Sequence, residues 1–426
     1  MINRTLAPDY KENIDLNLTP PNKDRLASGV PFYALEGGTE EVLRIELMFD
    51  AGIRREKQAF VAMATNALLQ EGTRSFTSEQ IATLLDSKGA FIQASCGKDQ
   101  ASLILFCLHR HLKSMLELLN ELAFYPSFPQ KELTTYRQNE QHKLAIELEK
   151  VGSQVRYHFP GKIFGTKHPY GKTPAPSDFQ HLTTEALNHF HQNYYLAGEM
   201  KILVAGKNTA TAKLLIEEVL DIPKQKQSLQ PVNWGLHVPP AAETFVLPYP
   251  EASQDAIRMG LQTINRYHPD YTRLYITNLL LGGFFGSRLM KSIREEQGLT
   301  YGISSALVPL QYSGYFVVHA EVTQQAAYKV QEEISKEIKR IQQEPVTQEE
   351  LTLLKNFALG DMLRSFDGPF ESAAMYRAVI DNELPLDYYN GVLKRIQNIQ
   401  ASDIQQTAQE YLSTEKMVTV IAGAYQ

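Results

Sequence analysis

The chain repeats itself once, and this constrains its fold more than any local motif does. The closing segments of the two halves match most plainly: Tyr195-Leu-Ala-Gly-Glu-Met200-Lys-Ile-Leu-Val-Ala-Gly206 against Tyr411-Leu-Ser-Thr-Glu-Lys-Met417-Val-Thr-Val-Ile-Ala-Gly423. Met200 to Met417 and Gly206 to Gly423 both give an offset of 217. Pro129-Gln-Lys-Glu-Leu133 and Pro345-Val-Thr-Gln-Glu-Glu-Leu351 each precede a long later helix, at offsets of 216 and 218. Gly89 and Gly298 each end a helix before a strand, at an offset of 209. Between the copies, Asp221 to Thr244 holds Pro223, Pro231, Pro239, Pro240 and the only tryptophan, Trp234, without apolar periodicity. That is linker composition. The expected division is residues 1–222 for the first unit, 223–243 for the linker and 244–426 for the second unit.

Within each half the pattern reads strand, helix, helix, strand, strand, helix, then longer helices and a final strand. Arg44 to Phe49 alternates as a strand should. Phe60, Met63, Ala64, Ala67 and Leu68 then recur at helical spacing, which predicts one apolar face stopped at Gly72. Thr77 and Gln80 have capping-box spacing and open a helix that Gly89 closes. Residues 90–95 and 101–108 read as antiparallel strands, followed by a helix carrying Leu112, Met115, Leu116 and Leu119. The second half answers with a strand over 255–263, one helix from Asp270 to about Gln297, strands near 300–306 and 313–322, and a helix from Thr323. The expected class is α+β: two homologous domains, each a mostly antiparallel sheet with helices packed on one face.

Composition removes several functions. With 42 Lys and Arg against 48 Asp and Glu, the net charge is −6, and no run of one sign stands out. A nucleic-acid or anionic-membrane surface is disfavoured. The first residues, Met1 to Lys11, lack the apolar stretch of an export signal, and the most apolar windows fall far short of the roughly 20 residues of a membrane span. Cys96 and Cys107 are too few for a disulfide framework in so long a chain. A cytoplasmic location is expected. Gly165-Thr-Lys-His-Pro-Tyr-Gly171-Lys172-Thr173 imitates a phosphate loop, but its glycines are one residue too far apart and Pro174 and Pro176 obstruct the helix that should follow. No Gly-x-Ser-x-Gly elbow is present.

The chemically informative block is Leu280-Leu281-Gly282-Gly283-Phe284-Phe285-Gly286-Ser287-Arg288-Leu289, continuing through Arg294, Gly298 and Leu299-Thr300-Tyr301-Gly302. With His168-Pro-Tyr-Gly171 and the duplicated halves, it resembles the M16 zinc peptidases, the pitrilysin and mitochondrial-processing-peptidase-like family. The resemblance spans the whole chain and implies the fold of that family in each half. Its peptide-cleaving members carry His-x-x-Glu-His on the first helix of the first half. Two histidines at i and i+4 grip zinc from one helical face, and the glutamate is the general base. Counted back from Gly72-Thr73, the motif falls on Met63-Ala64-Thr65-Asn66-Ala67, so Met63 and Ala67 replace the ligands and Asn66 the base. Met63 and Ala67 still suit a buried face. No two of the eleven histidines differ by four, so no other register restores the motif. The third family ligand would lie near Glu140, Glu147 or Glu149, which read better as solvated helix charges. His109 with His111, and His189 with His191, are weaker metal candidates than ordinary strand-end and helix residues.

Arg294 and Tyr301 match the family's substrate-binding pair, whose donors hold peptide carbonyls. Taken singly they read as a helix-end arginine and a core strand tyrosine; within the block, function is the better reading. Gly282 and Gly283 read as a flexible or closely packed stretch beside the substrate. The resemblance implies a non-catalytic subunit that binds peptide while an active partner chain supplies zinc. The alternative is an inactive homodimeric peptide-binding scaffold. A zinc enzyme with unorthodox ligands is a third possibility.

Overall fold

The computed structural model describes residues 18–196, 198–223 and 242–425. The expected linker lies almost wholly outside the described residues, as do Trp234 and the first eleven residues. The first half supplies β1 (Asn22–Arg25), β2 (Pro31–Glu36), β3 (Val42–Phe49), β4 (Phe91–Cys96), β5 (Ala101–Leu108) and β6 (Met200–Gly206). Its helices are α1 (Val61–Leu68), α2 (Ser78–Lys88), α3 (Leu112–Phe124), α4 (Gln130–Glu147), α5 (Val151–Phe164), α6 (Thr184–His191) and α7 (Thr209–Val219). The second half supplies β7 (Glu243–Pro248), β8 (Gln254–Thr263), β9 (Thr300–Pro309), β10 (Gly314–Thr323) and β11 (Val418–Gly423). Its helices are α8 (Tyr271–Asn278), α9 (Ala327–Gln343), α10 (Gln348–Arg364), α11 (Pro369–Asp381), α12 (Tyr388–Asn398) and α13 (Ala401–Tyr411).

The duplication is visible in the sheets. One runs β1-β2-β6-β3-β5-β4 and the other β7-β11-β8-β10-β9, the same order apart from the extra edge strand β1. Among the described residues only β2 with β6 and β7 with β11 pair in parallel. Gly89 and Gly298 both adopt left-handed φ, at +59° and +62°, a conformation that favours glycine. Thr77 and Gln80 exchange the expected capping-box bonds. The α+β class is therefore observed twice.

Each sheet is also covered from the other half. Along β6, Met200, Ile202 and Val204 face the first half's own core, whereas Leu203 and Ala205 join a core containing Ala373, Tyr376 and Ile380 of α11. Reciprocally, Val155, Phe159 and Ile163 of α5 pack on Ala256, Val317 and Val420 of the second sheet. Strand residues alternate between faces, so continuous apolar runs such as Ile202 to Ala205 report burial on both. The two halves are thus latched together by exchanged helices, at roughly 1.5–3 kcal/mol for each large aliphatic side chain buried. Among the described residues no helix is long and apolar enough to cross a membrane.

Two segments differ from the sequence expectation. The single helix from Asp270 to Gln297 is α8, a wider-wound continuation over Leu279–Gly283, a break at Phe284 (φ −151°, ψ 171°) and a further helical segment over Met290–Glu296. The segment packs so closely on β9 that a Cβ at Gly282 would lie 2.8 Å from the Ser305 backbone nitrogen. The helix expected from Thr323 begins at Ala327, because β10 continues to Thr323 before a turn with Gln325 at φ +62°.

Candidate functional site

Helix α1 keeps its place but not its ligands. It starts at Phe60, whose φ of 64° is unusual for an aromatic residue and whose ring stacks on Phe179 at 3.8 Å. The buried Glu56 carboxylate accepts the Ala62 amide at 3.2 Å, so it serves the otherwise unpaired donors of the first turn. Burial pushes its pKa up to about 7. Val61, Ala62, Ala64, Thr65, Asn66 and Leu68 are the buried residues of α1. Met63 and Ala67 are only half-buried, which corrects the expectation that they lie on the buried face. At 100° per residue they share the more open side of the helix, while Asn66 turns inward. Its amide donates to the Ser102 carbonyl at 3.3 Å and to the Tyr195 hydroxyl at 3.1 Å. Asn66 is a structural clamp between helix and sheet here, with no imidazole or carboxylate beside it on the motif positions. Zinc does not fit this donor set.

The other metal candidates are also engaged otherwise. Glu140 pairs with Lys143 at 2.5 Å, and Glu147 accepts from Lys150 at 2.7 Å and from Ser153 at 2.9 Å. The Lys150 bond is the main reason the Glu147 carboxyl lies below its ordinary value. Glu149 is exposed. His109 and His111 occupy a short surface turn. The buried His191 ring bonds the Ala123 carbonyl at 2.8 Å, and burial pulls its pKa down to about 4, whereas His189 contacts Asn193 at the surface. Among the described residues no three His, Cys, Asp or Glu side chains gather so as to hold a metal ion.

The second half presents the remaining chemistry. Arg288 is almost buried and forms a two-pronged contact with Glu350, at 3.0 and 3.1 Å, so the Ser-Arg-Leu portion of the block ties its helix to the start of α10. Gly282 is buried against Ser305, and a Cβ at Gly283 would meet Leu279 at 2.7 Å; both glycines serve close packing. Arg294 extends over the exposed Phe285 ring, 4.9 Å from its centre. Phe285 had no distinguishing signal in the sequence beyond its position between glycines.

Tyr301 is 90% exposed, the opposite of a core strand tyrosine. The cause is local. In the β9–β10 ladder Gly302 pairs with Glu321 and Thr300 with Val322, leaving Tyr301 as an extra residue in a bulge. The Thr300 hydroxyl fastens the bulge by bonding the Glu321 carbonyl at 2.5 Å. Strand β9 is one of the two outer strands of its sheet. Beside Tyr301 a cleft of about 580 Å³ opens between the α4–α5 junction and the sheet, with Glu147, Arg156, Arg258 and Glu321 among its walls. Arg294 and Tyr301 thus flank Gly298, while Met63, Asn66 and Ala67 lie on α1, which Asn66 ties to the first sheet. Among the described residues no hydrogen bond or ion pair joins the two groups.

The duplicated α+β fold, with Met63, Asn66 and Ala67 on α1 of the first half and Tyr301 exposed on β9 of the second, is the arrangement expected of a peptidase-like protein. Residues 34–158 match the family described as Insulinase (Peptidase family M16), and residues 181–357 match the Peptidase M16 inactive domain. The chain belongs to the M16 peptidase family. An uncharacterized zinc protease of Rickettsia bellii is 24% identical over 94% of this chain and 97% of its own. A non-peptidase homolog of Helicobacter pylori is 23% identical over 84% of each chain. Among solved structures, a peptidase M16 inactive domain from Pseudomonas fluorescens superposes with a TM-score of 0.87 at 24% identity, over 95% of this chain and 98% of that one. A protease from Helicobacter pylori gives 0.86 at 19% identity, over 95% and 99%. These two likenesses bear on the fold alone.

Proposed function

We propose that this chain is the non-catalytic, substrate-binding subunit of a two-chain M16 peptidase, and that a separate partner with an intact His-x-x-Glu-His helix supplies the zinc. The observation that carries this reading is Tyr301, lifted into solvent by a bulge on an outer strand. An outer strand has unpaired backbone groups, and an extended peptide can add to it as a further strand. The Tyr301 hydroxyl and the Arg294 guanidinium then donate to carbonyls of that peptide and hold it against the partner's metal site. Gly282 supports this block by letting its helix approach β9, and Gly283 by leaving room for Leu279. The substrates are peptides or small unfolded polypeptides, since a strand-adding segment must be extended. The complex works in the cytoplasm, where the free thiols of Cys96 and Cys107 would remain reduced.

The test is to purify the chain alone, its partner alone and the mixture, and to follow cleavage of a fluorogenic peptide. Activity that emerges only in the mixture supports the assignment. Appreciable turnover by the lone chain would sink it.

A second reading, an inactive homodimeric peptide-binding scaffold, draws support from the Helicobacter pylori relative named as a non-peptidase homolog. Co-purification from the native cell separates the two: a second, motif-bearing chain favours the peptidase pair, and a homodimer favours the scaffold.

A further inference from the structure

A second cavity, of about 290 Å³, lies in the second half between α8, β9 and the helices α10, α11 and α12. Sheet register places it in the duplicated frame. Ala205 of β6 pairs with Arg44 of β3, and Ala422 of β11 with Ala256 of β8, so Arg44 and Ala256 are equivalent and 212 residues apart. The same offset carries Met63, Asn66 and Ala67 of the first half onto Tyr275, Asn278 and Leu279, all three of which line this cavity. The position that lost its donors in one half has become an aromatic pocket in the other.

Two of its polar groups lack a fitting partner. Arg266 enters the wall from the turn before α8, and its neighbours there include tyrosines: it lies 5.6 Å from the Tyr271 ring centre, and Tyr388 and Tyr389 line the same cavity. Among the described residues no carboxylate lies within ion-pair distance of its guanidinium. Phenol oxygens accept hydrogen bonds but do not neutralise the charge, and a guanidinium fork matches a planar carboxylate. Asn278 is 4% exposed and donates its amide to the Ser305 carbonyl at 3.4 Å, which leaves its Oδ1 buried and unpartnered. A buried acceptor of this kind costs free energy unless something donates to it. Met362 and Met375 complete the wall with adaptable apolar surface.

We propose that this cavity binds a carboxylate-bearing group with an adjacent N–H donor and an apolar body: the carboxylate on Arg266, the N–H on Asn278 Oδ1, and the body against Met362, Met375 and the tyrosine rings. Its volume is at the small end of the roughly 300–1,000 Å³ of small-molecule sites, so it takes one residue rather than a length of peptide. A free apolar amino acid and the C-terminal residue of a peptide share this chemistry. The site is independent of Arg294 and Tyr301.

The experiment titrates the full chain with N-acetyl-L-phenylalanine, free L-phenylalanine and N-acetyl-L-phenylalanine amide by calorimetry. Binding is located by the methyl resonances of Met362 and Met375 in ¹³C-methyl-methionine-labelled protein. The expected result is that at least one of the two acids binds, moves both resonances, and binds about tenfold more tightly than the amide. Tighter binding of the acetylated acid assigns the pocket to peptide C-termini, and tighter binding of the free acid to amino acids. Arg266→Gln should remove the preference for acid over amide. The wild-type comparison stands without it if that variant fails to fold. Equal binding of acid and amide, or no movement of either methionine resonance at millimolar ligand, overturns the proposal.

Discussion

Glu46 and Arg377 lie 3.1 Å apart, although one belongs to β3 of the first sheet and the other to α11 of the second half. Glu46 is fully buried and is also held by Arg44 at 2.5 Å. Its Oε1 has no aligned hydrogen bond, so Arg377 meets it as a charge rather than as a directed donor. At the equivalent place in the second sheet stands Arg258, 5.8 Å from the ring centre of Phe159 on α5. The exchanged helices thus make different polar contacts on the two sheets.

Removing Arg377 should therefore loosen the union of the halves. Breaking a buried pair typically costs about 3–5 kcal/mol, and because Arg44 remains, Arg377→Ala is expected at about 2–3 kcal/mol. Denaturant unfolding followed by fluorescence checks this. A cost near zero would mean that Arg44 alone satisfies Glu46.

Asn66, which the resemblance aligns with the family's general base, does a structural task. Asn66→Ala strips a partner from the Ser102 carbonyl and the fully buried Tyr195, and is expected to cost about 1–3 kcal/mol. Turnover of the reconstituted complex at a temperature where the variant is folded should stay near wild type. A large loss of turnover without loss of stability would contradict the structural role.

For Arg294→Ala and Tyr301→Phe the expectation is reversed. Tyr301 projects from the outer strand β9 and Arg294 from the helical segment over Met290–Glu296, neither in the core, so melting temperature and assembly should change little. Cleavage by the mixed complex should fall at least about tenfold in each. Wild-type turnover in both variants would refute the substrate-binding role.

Glu56 predicts a pH dependence with a definite sign. Its folded pKa of about 7 lies above the ordinary 4.5, because burial disfavours the charged form. The native state therefore binds more protons than the unfolded chain between these values. The contribution of Glu56 is most favourable below pH 4.5 and is lost as the pH rises through 7, by about 3 kcal/mol in all. Glu56→Gln keeps an acceptor for the Ala62 amide and removes the titration. Between pH 5 and pH 8 the wild type should lose more stability than this variant; parallel curves would refute the assignment.

The resemblance to the M16 family was legible in the order of local signals: the duplicated final strands, the helix-ending glycines at 89 and 298, and the Gly-rich block leading to Tyr301. The loss of the zinc motif was legible too, since it needs only identities at fixed spacing. Boundaries governed by close packing were not. The break at Phe284 and the close approach of Gly282 to Ser305 are tertiary features that no one-dimensional period records.

Residue identity and spacing determined that the chain is two copies of one α+β unit and that its first helix lacks the imidazoles and carboxylate of a zinc motif. Whether Tyr301 sits in the core or in solvent depended on one unpaired residue in the β9–β10 register, a property of two strands together. Which helix covers which sheet, and the convergence of Arg266 with Asn278 on one cavity, likewise arise only when segments distant in sequence meet. Side-chain periodicity specifies that a face is buried; tertiary packing specifies what buries it.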